Sequence, residues 1–294
     1  MRTKVLFAAG LALGLGASIG SASAQSATRP LRWEDPRFGV GDVALSAAFG
    51  ITGLAANLVE TSPTGRRSGG ILFDELVHEA LQADSDSFRP IARASSDVIV
   101  ATLIATPFAL DAIVLAGVRH RSPDVALQMA LIDAEAMAVV VGLHGVTSLA
   151  VARERPFGDH CGTSLDPTST ECTAGKRYRS FFSSHTAHAF NSAGLVCAHH
   201  LHHRLFGEGP ADALTCAGAM VAATAVGTFR IGGDMHWATD VMVGAGVGLL
   251  TGLGIPFLHY HGGIPTLELG RRGRDGTRIS LAPAPNGLGV AGVF

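Results

Sequence analysis

The sequence is poor in charge, in lysine and in aromatic rings. Asp, Glu, Lys and Arg make up 16% of its 294 residues, where soluble domains carry about a quarter. Lys4 and Lys176 are its only lysines. The net charge of −2 implies no polyanion-binding surface, so no nucleic-acid partner is expected. Aromatics are 6% while 37 residues are glycine, which suits helices packed closely through small side chains. No internal repeat or low-complexity tract stands out. What remains is 47% hydrophobic, with mean hydropathy +0.33. The composition predicts either a membrane-embedded protein or a very apolar helical core, and the long apolar runs read as an all-α bundle of helices.

The first 24 residues read as a secretory signal peptide: Arg2 and Lys4, an apolar stretch Leu6–Ile19, then Ala22-Ser23-Ala24 before Gln25. Residues 25–94 form an N-terminal extension with one apolar helix near 43–59 and an amphipathic surface or interfacial helix at 71–83, marked by Leu72, Leu76, Val77 and Leu81. A core of residues 95–258 follows, with about six helices in the bundle. The tail, 259–294, is Gly-, Arg- and Pro-rich. Its Pro285-Asn286-Gly287 turn signal suggests a small hairpin. Four cysteines fit an oxidising compartment. Cys161 and Cys172 flank a polar loop and are expected to form a disulfide, whereas Cys197 and Cys216 lie in apolar segments and read as small core residues.

Polar residues concentrate at three helix ends. Arg153-Glu154-Arg155-Pro156 closes one apolar helix, Phe182-Ser183-Ser184-His185 opens the next, and Arg230, His236 and Asp240 span a loop and another helix start. Arginine donors match phosphate oxygens. Free N–H groups at a Ser-capped helix start favour an anion. His236 and Asp240 are four apart on one helix face, so the carboxylate can hold one ring nitrogen and leave the other to attack. His185 can supply a proton to a leaving oxygen.

In order and spacing these segments resemble the type 2 phosphatidic acid phosphatase family, which includes lipid phosphatases, class A acid phosphatases and vanadium haloperoxidases. Arg155-Pro156 match its first motif, Ser183 and His185 its second, and Arg230, five residues, His236, three residues and Asp240 its third. The family's lysine falls on Ser148, two turns before Arg155, and Phe182, Ser184 and Phe229 replace a proline, a glycine and a serine.

The resemblance implies a bundle of the acid phosphatase/haloperoxidase type. Arg155, Ser183, Ser184 and Arg230 would bind phosphate, His236 would attack phosphorus, Asp240 would orient it, and His185 would protonate the leaving group. It implies no metal and no cofactor. The histidines at 199–203 invite a zinc reading but lie at the far end of their helix from Ser183. The apolar helices favour a phosphate monoester or pyrophosphate on a lipid, cleaved through phosphohistidine in the inner membrane with the site facing the periplasm. The alternatives are a soluble periplasmic acid phosphatase acting on small phosphate esters, and a weakened protein that only binds phosphate head groups. With a cleaved signal, a periplasmic site requires an even number of crossings before Arg155, so the segment 43–59 would not cross.

Overall fold

A computed structural model describes residues 29–59, 67–82, 88–173, 175–207 and 209–261, and the backbone of 267–268, 278–284 and 287–293. The leader 1–24 and the tail's Pro285-Asn286 lie outside the described residues. The long helices are α1 (Val40–Leu58), α3 (Phe88–Ala105, continued by a π-helical stretch Thr106–Arg119), α4 (Pro123–Val151), α6 (Ser184–His203), α7 (Ala211–Gly232) and α8 (Ala238–Tyr260). Two short ones, α2 (Asp74–Leu81) and α5 (Thr170–Thr173), lie in the connections. The backbone of Arg278–Ala284 pairs antiparallel with Gly287–Val293 as a hairpin, with Leu267–Glu268 alongside.

Among the described residues, five helices are long and apolar enough to cross a membrane: α1, α3 with its continuation, α4, α7 and α8. Their outward faces expose Ile51, Leu54, Val221 and Leu250, side chains that water would penalise and lipid would not. The chain is a membrane-embedded helical bundle. α6 is the least apolar of the long helices and lies innermost, packed on α7, α8, α3 and α4. Glycines bring its neighbours close. A Cβ on Gly244 would stand 2.6 Å from the Ser183 carbonyl, and one on Gly194 would stand 2.7 Å from Gly252. Side-chain bulk at these places would push α8 off α6.

α1 departs from the sequence reading. It packs along α4, with Phe49 so near Gly142 that an added Cβ would come within 2.6 Å. Gly53 likewise lies against Val141 and Gly145. The matching order makes the two helices parallel, so α1 is a full-length member of the bundle, and among the described residues three apolar helices of spanning length precede Arg155. α2 turns its apolar side outward. Leu72 and Leu76 are exposed, whereas Asp74 and His78, one turn apart, are buried. Periodicity located the helix, but its polar side faces the protein. A further difference is a Cys197–Cys216 disulfide joining α6 to α7, so these residues are more than small core fillers.

Candidate active site

α4 ends at Ala152, whose left-handed backbone (φ 45°) turns the chain into Arg153-Glu154-Arg155. Arg155 is held by main-chain carbonyls. Its Nε donates to Lys176 O at 3.0 Å, Nη1 to Met235 O at 3.1 Å, and Nη2 to Arg179 O at 3.1 Å. Arg179 in turn donates to Ala56 O at 3.0 Å and to Val59 O, and caps the C-terminus of α1. A guanidinium fixed this way is aimed without a carboxylate to neutralise it. Burial, then Arg230, pushes its pKa below the usual arginine value.

His236 sits in the short connection between α7 and α8, 1% exposed. Its Nδ1 lies 2.8 Å from the Ser180 carbonyl, which accepts only from a protonated nitrogen. That bond puts the ring hydrogen on Nδ1 and leaves the lone pair on Nε2, which faces Arg155 Nη1 at 3.4 Å. Burial, then the charges of Arg155 and Arg230, hold the His236 pKa well below the ordinary histidine value.

Asp240 is 4.0 Å from His236 Nδ1. It acts on that ring through Ser180, whose hydroxyl donates to Asp240 Oδ2 at 2.5 Å while its carbonyl holds the imidazole. The Trp237 N–H also donates to Oδ2, at 3.0 Å, as the capping bond of α8. Oδ1 accepts from Arg153 Nη1 at 2.7 Å. Arg153 is buried and bonds through Nη2 to Asp74 Oδ2 at 2.6 Å. Asp74 also receives the Thr239 N–H and hydroxyl, both at 2.8 Å. Burial opposes ionisation of Asp74, but the Arg153 bond and the backbone donors outweigh it and lower its pKa.

Ser183 caps α6, accepting from the Thr186 N–H at 3.4 Å and the Thr186 hydroxyl at 2.9 Å. Its own N–H donates to the Asp240 carbonyl at 3.0 Å, tying the second segment to the third. Ser184 begins the helix, half-buried. His185 Nε2 lies 3.0 Å from Asp97 Oδ1 on α3, and Arg230 Nη1 reaches the same oxygen at 3.0 Å and Ser96 Oγ at 3.1 Å. Arg155, Arg230 and His185 all act electrostatically on His236. All seven residues singled out in the three segments therefore gather at one end of the bundle.

Sequence reasoning missed their supports. Arg153 was in the quoted run without a role, and Ser180 precedes the motif by three residues. Asp74 and Asp97 lie on helices outside all three segments. Asp234, at φ 58°, is buried between His78 at 2.8 Å and Arg89 at 2.6 Å, with His160 at 3.4 Å. Burial opposes its charge, yet the His78 bond and the nearby Arg89 hold its pKa below the ordinary carboxylate value. The spacing of Asp74 and His78, one helical turn apart, is the signal in the sequence that could have pointed to α2's part. Ser148, where the resemblance places a lysine, is fully buried, and its hydroxyl donates to Gly145 O at 3.1 Å in its own helix. Beside the site, a Cys161–Cys172 disulfide closes the loop that carries α5.

A helical membrane bundle thus carries arginines, a Ser-capped helix start and a buried histidine together at one end. Residues 130–261 match the sequence model of the PAP2 superfamily. The matched segment contains Arg155, Ser183, His185, Arg230, His236 and Asp240. One solved structure is similar, the first transmembrane PAP2 type phosphatidylglycerolphosphate phosphatase from Bacillus subtilis, at 18% identity and TM-score 0.47. The likeness covers 73% of this chain and 93% of that one. No curated protein matches the sequence.

Proposed function

We propose that the chain is a phosphatase that hydrolyses a phosphate monoester or pyrophosphate on a lipid, with His236 Nε2 as the nucleophile. The carrying observation is the His236 ring: Nδ1 engaged by the Ser180 carbonyl, Nε2 directed at the immobilised Arg155 guanidinium. An incoming phosphoryl group would take its oxygens to Arg155, Arg230 and the N-terminus of α6, where α6's free N–H groups add to the guanidinium charges. Nε2 attacks phosphorus, the P–O bond to the leaving group breaks, and His185 gives that oxygen its proton. Water then displaces phosphate from His236, with His185 accepting the water's proton. Arg153, Asp74 and Ser180 hold Asp240 and the ring in place.

Membrane embedding supports a lipid-linked substrate. So does an apolar cleft on the outer face between α1 and α4, lined by Phe49, Thr52, Leu143 and Val146, just before the motif end of α4. Phosphate release from short-chain lipid phosphates by the purified protein in detergent tests the reading. Wild-type release that His236→Ala abolishes supports it. Equal release by both proteins, or saturable lipid-phosphate binding without release, rejects it.

The Cys161–Cys172 bond beside the site supports an oxidising, exported face for it. With three spans before Arg155, residues 30–39 then lie on the opposite, cytoplasmic face.

A further inference from the structure

At the end of the bundle opposite His236, three helices bring together one side chain each: Asp42 from the first turn of α1, Glu135 from α4 and His259 from the last turn of α8. One donor atom from each lies within 4.8 Å of the other two. His259 Nε2 is 2.8 Å from Glu135 Oε2. Glu135 is 4% exposed, and its partners are half-buried.

Two carboxylates meet one imidazole here, and a protonated His259 can neutralise only one of them. Buried carboxylates elsewhere at this end are likewise met by histidines: Asp133 by His199 at 2.7 Å, Asp212 by His200 at 2.6 Å, and Asp111 by His200 at 3.2 Å. Each of those three carboxylates keeps one oxygen without a hydrogen-bond partner. The site arginines 153, 155 and 230 are at the other end. An excess negative charge in low dielectric is costly unless a cation joins it.

We propose that Asp42, Glu135 and His259 bind one divalent transition-metal ion of the zinc type. Two carboxylates and a neutral imidazole bring two negative charges, which a dication cancels. One nitrogen and two oxygen donors suit zinc, which holds such ligands at about 2.0–2.2 Å and completes its tetrahedron with water. Magnesium and calcium prefer all-oxygen shells. The ion would replace the hydrogen now shared by His259 Nε2 and Glu135. Outer contacts are in place. The Gly39 N–H donates to Asp42 Oδ2 at 2.7 Å, and Phe38 stacks on the His259 ring, 5.6 Å between centroids at 16°. The bound ion would fasten the start of α1 to α4 and α8.

The test uses the full chain, purified in detergent and stripped of metal, with zinc alone as the probe. Equilibrium dialysis should find one tightly held zinc per chain and a raised midpoint of thermal unfolding. Glu135→Gln and His259→Gln should each weaken binding by more than the roughly 10–100-fold lost with an outer-shell partner, and His202→Gln should not. X-ray absorption of the zinc-loaded wild type should show a single imidazole among oxygen donors. That spectrum decides the matter if the variants fail to fold. A folded wild type without saturable zinc binding would overturn the proposal. So would a spectrum with two or more imidazoles, or affinity unchanged in both triad variants.

Discussion

Arg153 Nη1 donates to Asp240 Oδ1 at 2.7 Å, while the ring nitrogen of His236 that shares a helix face with that carboxylate lies 4.0 Å away. The strong partner of Asp240 is therefore an arginine from another segment, and the histidine feels the carboxylate through Ser180. Arg153 also bridges Asp240 to Asp74 on α2 through two hydrogen bonds.

Removing one partner from a buried ion pair strands the other. Arg153→Ala should cost about 3–5 kcal/mol of stability, visible as a lowered unfolding midpoint in detergent. Phosphatase activity should fall with it, because Asp240 and the ring it steadies lose their anchor. An unchanged midpoint would show that Asp240 and Asp74 do not depend on this bridge.

His236→Ala should lower kcat by on the order of 10⁴-fold or more, as loss of a nucleophile does, and abolish base-stable, acid-labile phosphate labelling. The histidine also sets a pH signature. Its folded pKa is depressed by burial and by Arg155, so its lone pair stays available well below the ordinary range. The acidic limb of kcat/KM should consequently lie well below about pH 6.5. Stability moves the other way. Below about pH 6.5 the unfolded chain takes up a proton at this residue that the folded one refuses. Falling pH from there down to the folded pKa therefore costs the wild type stability, and His236→Gln should lack that part of the slope. Chemical unfolding at several pH values measures it.

Ser148→Lys should destabilise the protein. Ser148 is fully buried and bonded within its own helix, so a longer side chain overpacks the contact at a cost of about 1–3 kcal/mol, and its charge adds to that. Reduced folded yield with no gain in vanadate affinity is the expected result. Tighter vanadate binding by a stably folded variant would mean the lysine reaches the phosphate site after all.

Two engineered cysteines report the topology. In the Cys161–Cys172 loop, Thr168→Cys should react with a membrane-impermeant thiol reagent on intact cells from which the outer barrier has been removed. Arg32→Cys should react only after lysis. In the proposed topology Gln25 lies on the cytoplasmic face, so the purified chain is expected to retain its first 24 residues. Early labelling of Arg32→Cys, or a start at Gln25, would reverse the assignment.

The sequence carries the site better than its supports. Arg155, Ser183, His185, Arg230, His236 and Asp240 were legible because each sits at an abrupt change from apolar to polar at a helix end. Asp74 and Asp97 were not, since a carboxylate near a helix start has many reasons to be there and its partner is 79 residues away in one case and 133 in the other. The helices announced themselves by unbroken apolar runs. Such runs say nothing of which helix lies beside which, and so the parallel pairing of α1 with α4 and the burial of α2's polar side had to come from packing. Cys197 and Cys216 were misread because two cysteines in apolar helices look the same whether or not those helices touch.

The Arg179 cap on α1 has a mechanical meaning. Ala56 and Val59 carbonyls pull on the Arg179 guanidinium, and the Arg179 carbonyl holds Arg155 Nη2. α1 is the most lipid-exposed of the spanning helices, with 11% of its apolar window buried. Any tilt or vertical displacement that bilayer thickness imposes on this helix is delivered, through one residue, to the guanidinium that faces His236. The outermost helix is thus coupled like a lever whose short arm ends at the proposed phosphate site.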